Sequence, residues 1–171
     1  MTEISERVQS GLRKAQNTLP TMLLYDQRGS ELFDQITEVE AYYPTRTEEG
    51  ILKKHAPDLA AALGPRALVI EYGAGSSVKT RYLLSARDDA AGYVPVDISG
   101  DYLEESAARL RELYPELEVL PVAADFTKPF EIPVPQKAAR RNACFFPGST
   151  IGNYEYASAV EVLKGMRKLV G

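Results

Sequence analysis

The chain changes rhythm once. Up to about Gly64, apolar residues recur at helical spacing between polar stretches, with turn punctuation and no obvious strand. "SERVQSGLRKAQ" (5–16) predicts a short polar helix. "GSELFDQITEV" (29–39) predicts a second, with Leu32, Phe33, Ile36 and Val39 near one stripe. Thr45 followed by Glu48 has the spacing of a capping box, and a helix is expected from there to about Leu63, stopped by Gly64-Pro65. From Arg66 onward short apolar runs alternate with amphipathic ones. "ALVIEYG" (67–73), "GYVPVDIS" (92–99), "LEVLPVAADF" (117–126) and "NACFFPGSTIGN" (142–153) read as strands with their terminal loops. "SSVKTRYLLSAR" (76–87), "GDYLEESAARLRELYP" (100–115) and "YEYASAVEVLKGMRKLVG" (154–171) read as helices. The middle one carries Leu103, Ala107, Leu110 and Leu113 or Tyr114 on one face. "TKPFEIPVPQKAARR" (127–141) reads as loop.

This pattern divides the chain into a helical segment, 1–64, and an α/β core, 65–171. Strands alternating with helices specify a mostly parallel, doubly wound sheet. Ligands of such sheets sit outside the carboxyl ends of the strands, where the strand order reverses. The strand ends are therefore where chemistry is expected.

Composition narrows the setting. A chain of 171 residues suits one domain with a core and a small appendage. A net charge of −4 argues against nucleic-acid and membrane-surface partners, which call for basic patches. The single Cys144 cannot form an intrachain disulfide, which fits a reducing compartment. With the single His55 it also leaves too few soft ligands for a structural zinc site, so no metal is expected. No signal peptide opens the sequence and no apolar run reaches transmembrane length, so a cytoplasmic location is expected.

The first strand ends in Glu71-Tyr72-Gly73-Ala74-Gly75. The two glycines permit a tight turn and a close approach of backbone to ligand. A dinucleotide fingerprint would place a third glycine where Val78 stands. Glu71 points elsewhere: it would repel a pyrophosphate and attract the ammonium group of S-adenosylmethionine. The competing reading is a glycine-rich strand-to-helix turn with no ligand. Asp97 ends the second strand, about twenty residues on, where an acid accepts hydrogen bonds from a ribose diol; it could equally cap the next helix. Asp125-Phe126 ends the third, where the acid could take the exocyclic amine of adenine and the ring could cover its face; a turn-forming Asp and a buried Phe is the plainer alternative. Three acids at successive strand ends favour an adenosyl ligand. Asn153, at the fourth, reads locally as a turn residue or a cap.

Taken together and in order, "YDQRGSELFDQIT", "YYPTRTE", "EYGAGSSVKT", "YVPVDIS", "ADFT" and "GSTIGN" resemble the histidine-specific, S-adenosylmethionine-dependent methyltransferases of ergothioneine biosynthesis. Members of that family trimethylate the α-amine of histidine to hercynine. The resemblance runs from about Leu19 to the end, with "YYPTRTE" and "GSTIGN" its most specific parts. It implies a Rossmann-like class I methyltransferase core, with S-adenosylmethionine held by Gly73, Gly75, Lys79, Asp97, Asp125 and Phe126. Tyr25 would close over the cofactor, and one tyrosine of the pair Tyr42 and Tyr43 would contact L-histidine together with Asn153. Two features depart from the family. Tyr72 stands where an aliphatic residue is usual, and family chains are longer, their further part supplying the remaining strands and a substrate lobe. The incomplete sheet should leave the fourth strand as an open apolar edge, inviting self-association, a partner chain, or the rest of a longer protein. The readings that compete are an NAD-type oxidoreductase, a cofactor-binding module or partner subunit without turnover, and a methyltransferase for another acceptor.

Overall fold

The computed structural model describes residues 3–87 and 89–171. Strand β1 (Ala67–Tyr72) is buried along its whole length. It pairs in parallel with β2 (Gly92–Asp97) on one side and β4 (Arg141–Phe145) on the other. β2 in turn pairs with β3 (Val122–Ala123), giving a four-stranded parallel sheet of order β3-β2-β1-β4. The order reverses between β1 and β4, as a doubly wound sheet requires.

A strand buried on both faces loses the polar-apolar alternation, because helices cover both sides. Leu68, Ile70 and Tyr72, with Val94 and Val96, pack against Val162 and Met166 of α6 (Tyr156–Val170). Val69 and Tyr93 turn to the opposite face. They meet Leu83 and Leu84 of α4 (Thr80–Ser85) and Ala107 and Leu110 of α5 (Gly100–Leu113), with Ala60 and Leu63 of α3 (Tyr43–Leu63) at the margin. Tyr114 joins this second cluster, whereas Leu113 is 55% exposed. Before α3 lie α1 (Glu3–Leu12), a 3-10 turn (Thr21–Leu24) and α2 (Gln27–Glu38), whose N-cap Asp26 accepts from Gly29 N at 2.7 Å.

The structure refines several of these elements. The capping box does not form: α3 begins at Tyr43 with Pro44 in its first turn, so Thr45 lies inside the helix, buried. The helix expected from residue 76 begins at Thr80, because Ser77 adopts a left-handed conformation (φ 54°). The third strand shrinks to two residues plus an isolated bridge between Tyr93 and Val119; Pro121, lacking an N–H, interrupts the ladder between them. The apolar stripe of α2 is not core, since only Phe33 turns inward while Leu32, Ile36 and Val39 stay exposed. β4 is hydrogen-bonded on one side only, at the edge of the sheet, as expected. Among the described residues no helix is long and apolar enough to cross a membrane.

The end of α3 is held by a buried cation. The Arg87 side chain is 2% exposed and its guanidinium donates to the carbonyls of Ala60 (3.2 Å) and Gly64 (2.8 Å). These carbonyls lie at the negative end of the helix, where a cation is favoured. Arg87→Met is expected to cost about 2–3 kcal/mol, read as a lower urea midpoint at unchanged slope. A midpoint within experimental scatter of the parent would show that the clamp is dispensable.

Candidate functional site

The crevice lies beyond the carboxyl ends of β1 and β4, and its floor is the loop after β1. Gly73 (φ 67°) and Gly75 (φ 49°) both occupy the left-handed region that glycine tolerates. A Cβ at Gly75 would meet nothing within 4 Å, so the backbone angle rather than crowding calls for glycine there. Gly73 N donates to Val96 O at 2.9 Å, and Gly75 N donates to Asp97 Oδ2 at 3.0 Å. Asp97 Oδ1 accepts from Ser99 N at 3.1 Å. The acid at the end of β2 thus fixes the turn after β1 and the start of α5 at once.

Around this floor opens a cavity of about 1400 Å³ whose wall includes Tyr25, Tyr42, Glu71, Asp97, Asp125 and Asn153. Single small-molecule pockets run to roughly 1,000 Å³, so the space suffices for two ligands side by side. Carboxylates outnumber lysines and arginines along the wall, which favours cationic occupants.

Glu71 is the most perturbed acid. It is 2% exposed, and the hydroxyls of Thr80 and Tyr93 both donate to its Oε2. Burial pushes its pKa up to about 7; the two hydroxyls and the nearby Lys79 ammonium oppose that rise without cancelling it. The same burial, with Glu71 beside it, holds the Tyr93 hydroxyl protonated well above the ordinary tyrosine range. A carboxylate that is costly to ionise at the wall of an acidic cavity is suited to meet a cation.

The other predicted residues fall into place unevenly. Asp125 lines the cavity, and its Oδ1 accepts from Thr127 N (3.1 Å) and Thr127 Oγ1 (2.5 Å), so it also shapes its own turn. Phe126 lies at the wall inside an aromatic cluster, with ring centroids 5.3 Å from Tyr72, 5.7 Å from Phe146 and 6.3 Å from Tyr154. Tyr72, the departure noted in the strand, is thereby a packing residue. Tyr25 and Asn153 reach each other across the cavity, Asn153 Nδ2 donating to the Tyr25 hydroxyl at 3.3 Å. Thr21 Oγ1 donates to Asn153 O at 3.4 Å, a second tie from the helical segment. Tyr42 lines the cavity and packs edge-on against Phe33 (6.2 Å, 82°), while Tyr43 is 69% exposed and outside the wall. His55 sits on the surface of α3, 3.2 Å from Asp58.

Several of the ties around the site are not marked in the sequence. Tyr102 of α5 donates to Asp34 Oδ2 of α2, tying the helical segment to the core beside the glycine turn. Lys79 Nζ lies 2.5 Å from Glu48 Oε2, and Glu48 Oε1 accepts from Gly148 N at 2.7 Å. Spacing suggests a capping role for Glu48; the structure gives it this bridge instead.

The chain matches the family of histidine-specific, S-adenosylmethionine-dependent methyltransferases over residues 4–171. It is 41% identical over 160 residues to histidine N-alpha-methyltransferase of Mycolicibacterium smegmatis, covering 91% of this chain and 48% of that protein. It is 42% identical over 150 residues to the protein of the same name from Mycobacterium tuberculosis, covering 85% of this chain and 45% of that one. The chain therefore spans about half the length of the curated relatives it matches. Among solved structures, a protein of Methanococcus maripaludis assigned as an S-adenosyl-L-methionine-dependent methyltransferase superposes with a TM-score of 0.52 at 16% identity, over 90% of this chain and 62% of that one. That likeness supports the Rossmann-like fold.

Proposed function

The chain belongs to the histidine-specific, S-adenosylmethionine-dependent methyltransferase family, and on that premise we propose that it binds S-adenosylmethionine in the crevice between β1 and β4 and serves methylation of the α-amine of L-histidine. The observation that carries the reading is the convergence of three strand-end acids, Glu71, Asp97 and Asp125, on one acid-lined cavity beside a left-handed glycine turn.

In this reading Glu71 faces the cofactor's ammonium group, Asp97 the ribose hydroxyls, and Asp125 with Phe126 the adenine. Gly73 and Gly75 let the backbone approach, and Lys79 addresses the cofactor carboxylate. When bound, the cofactor supplies a methyl group already activated on a sulfonium. The chain's own work is to exclude water, orient the acceptor and favour the amine's unprotonated form. Tyr25 and Asn153 close one side of the cavity. Because Asn153 Nδ2 already donates to Tyr25, its Oδ1 is left to accept a hydrogen bond from an acceptor amine. Tyr42, rather than Tyr43, is the tyrosine of the pair placed to join it. The acceptor is a small molecule; a cytoplasmic setting agrees with the lone unpaired Cys144.

Calorimetric titration with S-adenosylhomocysteine, with NAD as control, tests the cofactor half. Saturation by NAD alone would sink it. Mass-spectrometric detection of methylated histidine tests the acceptor half. Tyr42→Ala should lower turnover by about tenfold or more, while Tyr43→Ala stays within about twofold. Binding without methyl transfer would leave a cofactor-binding module, and transfer to a different amine would redirect the acceptor.

A further inference from the structure

We propose that Glu48 is a positioning residue that holds the Lys79 ammonium ready for a ligand carboxylate and ties together the two lips of the crevice; the proposal rests on the cofactor reading above. Glu48 belongs to α3 and stands outside the cavity wall, whereas Lys79 is part of that wall. Both oxygens of its carboxylate are committed, Oε2 to Lys79 Nζ at 2.5 Å and Oε1 to the backbone N–H of Gly148 at 2.7 Å. Lys79 follows β1 and Gly148 follows β4, the strands between which the sheet order reverses. One side chain from the helical segment therefore fastens both sides of the place where a doubly wound sheet takes its ligand.

The contact is tight and partly sheltered. The two side chains are 19% and 28% exposed, unlike the solvent-facing pair Lys164–Glu161 at 62% and 67%. A Cβ built on Gly148 (φ 81°) would lie 3.5 Å from Lys79 Nζ, so the lysine runs close along the loop after β4. An ammonium has three N–H bonds; with one given to Glu48, others remain to face the cavity. Their matching partner is a carboxylate, the anionic group at the amino-acid end of the cofactor.

Removing the Glu48 charge has two opposed consequences. A nearby negative charge is lost, which would favour an incoming carboxylate, but water at the pair screens that term. The lysine also regains the rotamer freedom of a four-carbon chain, which the ligand must then quench itself. The second effect is the larger, so the substitution weakens binding.

The test is calorimetry of Glu48→Gln, which keeps an oxygen for Gly148 and removes the charge beside Lys79. Two ligands are compared: S-adenosylhomocysteine and S-adenosyl-3-thiopropylamine, which keeps the adenosine, thioether and amine but lacks the carboxylate. S-adenosylhomocysteine should weaken about tenfold and the amine less than twofold. In the double variant Glu48→Gln/Lys79→Met, binding of S-adenosylhomocysteine should be no weaker than in Lys79→Met alone, because the two residues act as one unit. Equal weakening of both ligands, together with a lower melting temperature, would make Glu48 a brace for the fold and overturn the positioning role; unchanged binding of both would overturn it equally. An unsubstituted protein that binds neither ligand would remove the cofactor reading itself, an outcome visible before any variant is made.

Discussion

Glu71→Gln is expected to make the fold more stable above neutral pH and, in the same stroke, to cost about a hundredfold in affinity for S-adenosylhomocysteine at pH 8. The reason is the buried carboxyl. Its pKa rises from 4.5 to about 7 in the folded protein because burial disfavours the charge. The folded state therefore holds this proton more tightly than the unfolded chain. The resulting stability is fully present below pH 4.5 and is lost as pH rises through about 7. The loss amounts to about 3 kcal/mol over that window. Glutamine can still accept from Thr80 and Tyr93 but has no charge to bury, so its stability should lack that decline. Urea denaturation of both proteins at pH 4.5 and 8 reads the difference, and parallel profiles would refute it. Ligand binding as proposed would reverse the sense, because an ammonium beside Glu71 would favour the ionised carboxylate. S-adenosylhomocysteine should then displace about one proton at pH 6, measured from calorimetric enthalpies in buffers of different ionisation heat. The glutamine variant should displace none through this group.

Asp97→Ala should be at least as severe for a different reason. Its two oxygens hold Gly75 N and Ser99 N, so one substitution releases both the glycine turn and the entry to α5. Two hydrogen bonds are lost in a partly buried site that water can partly repair, so stability should fall by about 2 kcal/mol. Affinity for S-adenosylhomocysteine should fall about a hundredfold or more, since turn geometry and the proposed acceptor for the ribose disappear together. Asp97→Asn, which keeps one accepting oxygen, should lie between. An alanine variant that binds as tightly as the parent would remove Asp97 from the site.

The strands that pack on both faces are legible because their signal is local: β1 and β2 are apolar runs that meet an acid at or just before their last residue. The third strand is shorter than its apolar content suggests, because Pro121 cannot donate to a ladder. Of the paired tyrosines, both are aromatic and adjacent, and only the direction of α3 turns Tyr42 inward and Tyr43 to solvent. Glu48 misled for a related reason: its spacing from Thr45 suits a cap, while its true partners lie 31 and 100 residues away in sequence. The hydroxyls of Thr80 and Tyr93 carry no such signal, because nothing local distinguishes a hydroxyl that donates to a buried acid from one that packs.

The preponderance of carboxylates along the cavity also bears on how a cycle would end. An acidic wall ranks its occupants by charge. The methyl donor is a sulfonium cation and its demethylated counterpart is a neutral thioether, so the same wall holds the first more firmly than the second at equal shape. In the proposed reaction a wall of this character would limit inhibition by the spent nucleoside and let fresh donor displace it.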